Sequence, residues 1–242
     1  MYPSRFLYEA PRSLDEAIGL MHDGGDYVKV LAGGQSLVPI MAFRLARPSH
    51  LVDINGVDGL RAITAKDGKL SIGAGVRHQA FHRPVVEGPL GALLSAVMRH
   101  IAHYPIRTRG TFCGSLAHAD PASEWGLVAA TLGTEMVARS ARGARIIAAA
   151  DYFRGIMTTA LDADELLAEV RLPILPAETR AGFYEFNRRA GDFAMGMALV
   201  TLRLENGVIV APHVGIGAAE PHPRRIAAAA AMALGVVALA LG

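Results

Sequence analysis

The chain has 242 residues, of which 52% are hydrophobic and 19% are charged, a composition typical of a globular protein and not of a disordered one. The formal net charge of only +2, without any cluster of Lys and Arg, argues against nucleic-acid binding. A single cysteine, Cys113, excludes an intramolecular disulfide and any Cys-based iron–sulfur or zinc site within the chain. Because residues 1–11 lack the apolar run of a secretory signal, we expect a cytoplasmic protein.

The first predicted elements lead into a glycine-rich turn. Ser13 as N-cap and Glu16 at the capping-box position predict the start of a helix. The apolar alternation of residues 27–31 predicts a short strand. The segment A-G-G-Q-S follows at residues 32–36, which we call the first glycine loop, and a short helix through residue 46 is predicted after it.

A glycine pair and a serine between a strand and a helix start can hold a phosphate, because backbone N–H groups there face the anion. The first glycine loop matches neither the G-x-G-x-x-G pattern of dinucleotide-binding domains nor the G-x-x-x-x-G-K-[ST] pattern of P-loops. The sequence therefore favours a phosphate site of another kind.

The middle of the chain alternates strands and helices. Asn55 and Gly56 predict a turn, near which we place a subdomain boundary. In order, the other elements are a strand at residues 51–54, a β-hairpin of residues 60–64 and 70–75, and helices at residues 78–81 and 91–101.

A second run of small residues, R-T-R-G-T-F-C-G-S-L-A-H-A-D-P-A-S-E, occupies residues 107–124, and its residues 111–115 are called the second glycine loop. Small side chains let the backbone approach a ligand, and consecutive N–H groups form an anion-binding concavity. Asp120 and Pro121 stop any helix, and Glu124 offers a carboxylate that accepts hydrogen bonds from a ribose hydroxyl. Two phosphate-binding loops predict a ligand with a central pyrophosphate.

The remaining segments predict further strands and helices, which makes the class α+β. They are a helix at Glu124–Leu132, paired strands at residues 135–138 and 145–148, a strand at residues 166–172, a linker at residues 175–181, and a three-stranded antiparallel layer from residues 182–187, 195–205 and 208–217. The apolar residues 226–242 are shorter than the about 20 residues that span a bilayer, so we expect a packed helix.

Four ordered motifs resemble one family, the FAD-binding flavoprotein subunits of molybdenum hydroxylases. The motifs are A-G-G-Q-S at residues 32–36, T-F-C-G-S-L-A-H-A-D-P-A-S-E at 111–124 with its lead-in R-T-R-G, E-L-L-A-E-V-R-L-P at 165–173, and F-N-R-R-A-G-D-F-A at 186–194. The family includes the medium chain of carbon monoxide dehydrogenase and the central domain of xanthine dehydrogenase. The resemblance covers nearly the whole chain.

The resemblance implies a fold of the vanillyl-alcohol-oxidase, or PCMH, type. Its expected parts are a first FAD-binding subdomain at residues 1–55, a second at residues 56–174 and a small C-terminal sheet-plus-helix domain at residues 175–242. The last domain ends before the family's usual tail, and the sequence leaves open whether this short C-terminus is natural or truncated. It further implies an electron-transfer subunit that binds FAD non-covalently and assembles with a [2Fe-2S] small subunit and a molybdopterin large subunit, as a heterotrimer or its dimer.

The candidate site contains only cofactor-binding residues, with no catalytic or metal-ligating residue. Those assigned to the pyrophosphate are Ala32, Gly33, Gly34, Gln35, Ser36, Thr111, Cys113, Gly114 and Ser115, with Glu124 assigned to the adenosine ribose. The resemblance implies that Ile101, Leu167 and Phe193 lie near the isoalloxazine ring. A side chain at Gly33 or Gly114 is expected to clash with the pyrophosphate.

The sequence leaves several alternatives open. Cys113 replaces the family's usual second glycine, and a small residue on a tight loop is favoured over a redox thiol. His100, His103 and His118 show no metal-ligand spacing. Two other functions are a scaffold subunit that has lost FAD and a free-standing flavin oxidase of the vanillyl-alcohol-oxidase type.

Overall fold

The computed structural model describes residues 2–234. Its helices are α1 (Leu14–Gly24), α2 (Leu37–Ala42), α3 (Pro89–Met98), α4 (Tyr104–Arg107), α5 (Phe112–His118), α6 (Glu124–Leu132), α7 (Ala149–Tyr152) and α8 (Ala227–Ala233). Its strands are β1 (Leu7–Glu9), β2 (Val28–Leu31), β3 (His50–Asp53), β4 (Ile63–Lys66), β5 (Lys69–Gly73), β6 (Glu135–Ser140), β7 (Gly143–Ala148), β8 (Phe153–Gly155), β9 (Thr158–Thr159), β10 (Leu166–Pro173), β11 (Arg180–Phe186), β12 (Gly196–Glu205), β13 (Val208–Gly217) and β14 (Arg224–Arg225). Short 3₁₀ helices cover Gly25–Tyr27, Ile54–Gly56 and His78–His82.

The N-terminal sheet is parallel and has the strand order β1-β3-β2. The predicted capping of α1 is confirmed, because the Ser13 hydroxyl accepts a hydrogen bond from the Glu16 N–H at 3.1 Å. The Glu16 carboxylate in turn accepts one from the Arg12 N–H at 2.8 Å. The first glycine loop leaves this sheet at the end of β2.

The central sheet has the order β4-β5-β10-β6-β7, and all its neighbouring strands are antiparallel. Helices α5 and α6 pack against β10. A buried aromatic cluster of Phe81, Phe112 and Trp125 joins these helices, with ring centroids 4.7 to 5.4 Å apart. Such contacts add about 0.5–1.5 kcal/mol per pair beyond their area burial. The cluster therefore anchors the second glycine loop, which contains Phe112.

The C-terminal sheet is antiparallel, in the order β11-β12-β13-β14. Its inner face lies against α6. A Cβ on Gly215 of β13 would collide with the Thr131 hydroxyl of α6, so a glycine is what lets this strand and helix approach so closely. The three larger sheets are built from residues 7–53, 63–173 and 180–225, while the proposed domain boundaries stay a prediction.

The second glycine loop and the C-terminal layer differ from the elements predicted from the sequence. The second glycine loop continues as helix α5, which the sequence does not predict. The predicted three-stranded layer has a fourth short strand, β14. The expected apolar C-terminal helix is seen as α8, and residues 235–242 lie outside the described part of the chain. Among residues 2–234, no helix is long and apolar enough to cross a membrane.

Candidate functional site

Both glycine loops line one cleft of about 550 Å³. All thirteen residues assigned to the cofactor from the sequence lie on its wall, although they come from several separate stretches of the chain. A volume in the range of roughly 300–1,000 Å³ is typical of small-molecule and cofactor sites. The fold therefore brings the whole candidate site together in one place.

The first glycine loop turns sharply, with Gly34 at φ +70°, where a side chain is strained. A Cβ on Gly33 would clash with the Arg109 carbonyl and lie 2.6 Å from the Gly110 Cα. The absence of a side chain at Gly33 therefore lets the first glycine loop touch the backbone that leads into the second. This contact is separate from the expected room for a phosphate.

The second glycine loop is held by its own side chains. The Thr111 hydroxyl caps α5 by accepting a hydrogen bond from the Gly114 N–H at 3.0 Å. A Cβ on Gly114 would lie 2.5 Å from that hydroxyl oxygen, so glycine preserves the cap. The Ser115 and Ser123 hydroxyl oxygens are 2.8 Å apart, and Ser123 caps α6 by accepting from the Gly126 N–H at 3.0 Å.

Cys113 is a buried packing residue of α5. Its side chain is 2% exposed, and its Sγ lies 3.5 Å from the Ile72 carbonyl oxygen. Burial raises the pKa of the Cys113 thiol, and a protonated thiol is a poor nucleophile. This environment supports a small residue that fits the helix rather than a redox group.

Glu124 is the first residue of α6 and lies on the cleft wall. Burial, reinforced by the charges of Glu185 and Asp120 and opposed by Arg107, raises the pKa of the Glu124 carboxyl to about 8. At neutral pH the ligand-free carboxyl is therefore largely protonated. A neutral carboxyl both donates and accepts hydrogen bonds, and a ribose hydroxyl can do the same.

The residues assigned to the flavin ring also line the cleft. Leu167 lies in β10 beside a register shift between Leu167 and Glu169, and such bulges re-aim backbone groups next to functional sites. Ile101 is buried, whereas Phe193 is 76% exposed. Phe193 lies two residues after Gly191, whose φ is +88° and whose Cβ position is 2.7 Å from His103 Nδ1. The His103 ring thus packs against the segment that presents Phe193.

Lys29 lines the cleft near the first glycine loop and was missed from the sequence. The sequence signal for Lys29 is that it is the one charged residue in the otherwise apolar strand β2.

His118 also lies on the cleft wall, and His100 Nδ1 is 3.7 Å from Glu185 Oε2. Within residues 2–234, no group of three or more His, Cys, Asp or Glu side chains is placed to hold a metal ion.

The α+β fold and the two-loop cleft define a class, the FAD-binding flavoproteins of the PCMH type. The chain belongs to the family described as "FAD binding domain in molybdopterin dehydrogenase", whose model matches residues 4–175. It is therefore an oxidoreductase component with FAD as its cofactor.

Several similar proteins agree with this assignment. The chain is 43% identical to the 6-hydroxypseudooxynicotine dehydrogenase complex subunit alpha of Paenarthrobacter nicotinovorans, over 84% of this chain and 69% of that one. It is 38% identical to caffeine dehydrogenase subunit beta of Pseudomonas sp. (strain CBB1), over 85% and 70%. A solved carbon monoxide dehydrogenase from Hydrogenophaga pseudoflava matches with a TM-score of 0.95 at 33% identity, over 99% of this chain and 84% of that one. The family and fold expected from the sequence are thus confirmed.

Proposed function

We propose that this chain is the FAD-binding electron-transfer subunit of a heteromeric molybdenum hydroxylase. The observation that carries the proposal is the convergence of both glycine loops, Glu124 and Phe193 on one cleft. When bound, the FAD supplies the redox chemistry, which is electron transfer from [2Fe-2S] clusters of a partner subunit to an acceptor. The protein binds the cofactor, orients it and sets its surroundings.

The chemistry of the wall fits a dinucleotide. Residues 32–36 and 111–115 contain no acidic side chain, so a pyrophosphate between them meets no like charge from the loops. The backbone N–H groups of the first glycine loop and the hydroxyls of Ser36, Thr111 and Ser115 are donors suited to phosphate oxygens, whereas most N–H groups of the second glycine loop already donate within the protein. Lys29 adds a positive charge on the same wall. We assign these residues to binding the pyrophosphate.

The two ends of the cofactor need different surroundings. Glu124 offers a hydrogen-bonding carboxyl for the adenosine ribose, and its raised pKa keeps it from burying a negative charge near the pyrophosphate. Ile101 and Leu167 form an apolar wall suited to the isoalloxazine ring, and the exposed Phe193 can pack on its face. These side chains orient the ring and exclude water from it.

Partners follow from the relatives and from the cysteine count. Two relatives are named as subunits of dehydrogenases, and another is the medium chain of carbon monoxide dehydrogenase. With one cysteine in 242 residues, this chain lacks the thiolates that hold iron–sulfur clusters. We therefore propose an iron–sulfur small subunit and a molybdopterin large subunit, in a heterotrimer or its dimer, with FAD bound non-covalently.

Expression of the chain alone and together with such subunits tests the proposal. The purified chain should carry FAD that acid precipitation releases, shown by its visible spectrum, and should accept electrons from an artificial donor. Co-expression should yield one assembly in size-exclusion chromatography. A flavin-free chain, or a monomer that oxidises an organic substrate unaided, would contradict the proposal.

A further inference from the structure

A ligand that spans the two glycine loops needs them at a fixed separation, because binding is weakened when the groups that meet the ligand must first be ordered. The loops begin at Ala32 and Thr111, far apart along the chain. Each connection between them is therefore a candidate for setting the geometry of the cleft.

The segment around Arg77 is attached to the second glycine loop through the backbone. The His78 N–H donates to the Gly110 carbonyl at 3.0 Å, and the Phe112 N–H donates to the Val76 carbonyl at 3.0 Å. Arg77 and Thr111 form an antiparallel bridge between these two bonds. The position of the Arg77 main chain is thus tied to that of the second glycine loop.

The Arg77 side chain extends from there toward the first glycine loop. Its guanidinium donates hydrogen bonds to the Arg109 carbonyl and to Asn55 Oδ1. Asn55 Nδ2 in turn donates to the Ala32 carbonyl at 2.8 Å and to Asp53 Oδ1 at 2.6 Å. Because a guanidinium only donates, the orientation of the Asn55 amide is determined. One continuous chain of hydrogen bonds therefore joins the two loops.

We infer that Asn55 and Arg77 are positioning residues that set the spacing of the two glycine loops, and that this spacing selects a ligand whose pyrophosphate reaches both. This inference rests on the proposed function. Neither side chain is among those that line the cleft within residues 2–234, so both act through the loops. FAD binding should depend strongly on the hydrogen bonds that Asn55 and Arg77 make between the two loops. FMN has a single phosphate, so one loop suffices for it.

The test compares FAD and FMN affinities of the full chain after its flavin has been removed. Asn55→Ala deletes the amide, and Arg77→Lys keeps the charge but loses the planar fork that bonds two acceptors. Each should weaken FAD by about 10- to 100-fold, which is about 1.4–2.8 kcal/mol and in the range of lost hydrogen bonds, and FMN by less than about threefold. Arg61→Ala is the matched control, because Arg61 donates to the Asn55 backbone carbonyl at 2.6 Å and does not join the loops; its affinities should stay near wild type.

Hydrogen exchange of the flavin-free chain gives a second measurement that does not depend on FAD. Peptides covering residues 31–37 and 107–115 should exchange faster in Asn55→Ala and Arg77→Lys than in wild type and Arg61→Ala. Asn55→Ser replaces Asn55→Ala if the latter does not fold. The inference would be overturned if the variants lost FAD affinity and FMN affinity equally. It would also be overturned if their FAD affinity and their hydrogen exchange both stayed near wild type. A wild-type chain that binds no FAD would overturn the proposed function instead. The hydrogen-exchange data would still show whether Asn55 and Arg77 hold the two loops in place.

Discussion

The two glycine loops line the same cleft but are stabilised in different ways. The second is capped by Thr111 and anchored by Phe112 in the aromatic cluster. The first precedes α2, whose N-cap Ser36 makes no side-chain capping bond, and it contacts Arg109 and Asn55 instead. The second glycine loop therefore serves as the fixed side of the cleft, and the first takes its position from contacts elsewhere.

Gly33→Val should break this arrangement most severely. The new side chain meets the Arg109 carbonyl and the Gly110 Cα, which are backbone atoms that cannot move aside cheaply. We expect FAD retention to be lost and the free energy of unfolding to fall by about 1–3 kcal/mol, the usual cost of overpacking. Bound flavin per chain and denaturant unfolding measure the two effects.

Gly182→Val is the matched control, because a Cβ on Gly182 in β11 meets nothing within 4 Å. It should retain flavin and stability. If Gly33→Val kept full flavin, the close contact between the two loops would not be needed for binding.

Glu124→Ala should have the next largest effect and tests the adenosine end of the cleft. Loss of its hydrogen bonds should weaken FAD by roughly 10- to 150-fold, and FMN, which lacks the adenosine ribose, much less. Glu124→Gln should lose less than Glu124→Ala, because an amide resembles the neutral carboxyl in shape and in having a donor and an acceptor. Isothermal titration with both flavins decides; equal losses for FAD and FMN would point to a folding defect.

The raised pKa of Glu124 also predicts a pH dependence of stability for the flavin-free chain. Its pKa rises from an ordinary value of 4.5 to about 8 on folding, so between these values the folded state binds more protons than the unfolded state. The contribution of Glu124 to stability is then complete below about pH 4.5 and is lost as the pH rises through about 8. Denaturant unfolding across this range should show a steeper decline in wild type than in Glu124→Gln; parallel profiles would contradict the assignment.

Thr111→Val should have a smaller effect, confined to the second glycine loop. It removes the hydroxyl that caps α5 and preserves the volume of the side chain. Loss of an N-cap costs about 1 kcal/mol, and the weaker loop should bind FAD less tightly. Thermal unfolding and flavin titration measure both, with Thr111→Ser, which keeps the hydroxyl, as the control.

Cys113→Gly should have the smallest effect on the cofactor. Flavin content and electron transfer should stay near wild type, while a glycine within α5 and the lost packing should lower stability by on the order of 1 kcal/mol. Anaerobic reduction of bound flavin by an artificial donor is the measurement. A large fall in electron transfer with flavin retained would give the thiol a redox role.

The chemistry of the loops could be predicted from the sequence, because glycines, serines and a carboxyl near one another in the chain are local signals. Helix α5 could not, since Gly114 and Ser115 are weak helix formers and the helix depends on the burial of Phe112 and Leu116. The local pattern around Asn55 predicts only a turn residue. The hydrogen bond from Asn55 to the Ala32 carbonyl joins residues that lie far apart in the sequence, and no local pattern reveals such a contact.

A crystal structure of the chain with FAD tests the central claim most directly. We expect the pyrophosphate between residues 32–36 and 111–115, the adenosine ribose at Glu124 and the isoalloxazine ring beside Ile101, Leu167 and Phe193. FAD bound outside this cleft, or a pyrophosphate in contact with only one of the two glycine loops, would contradict it.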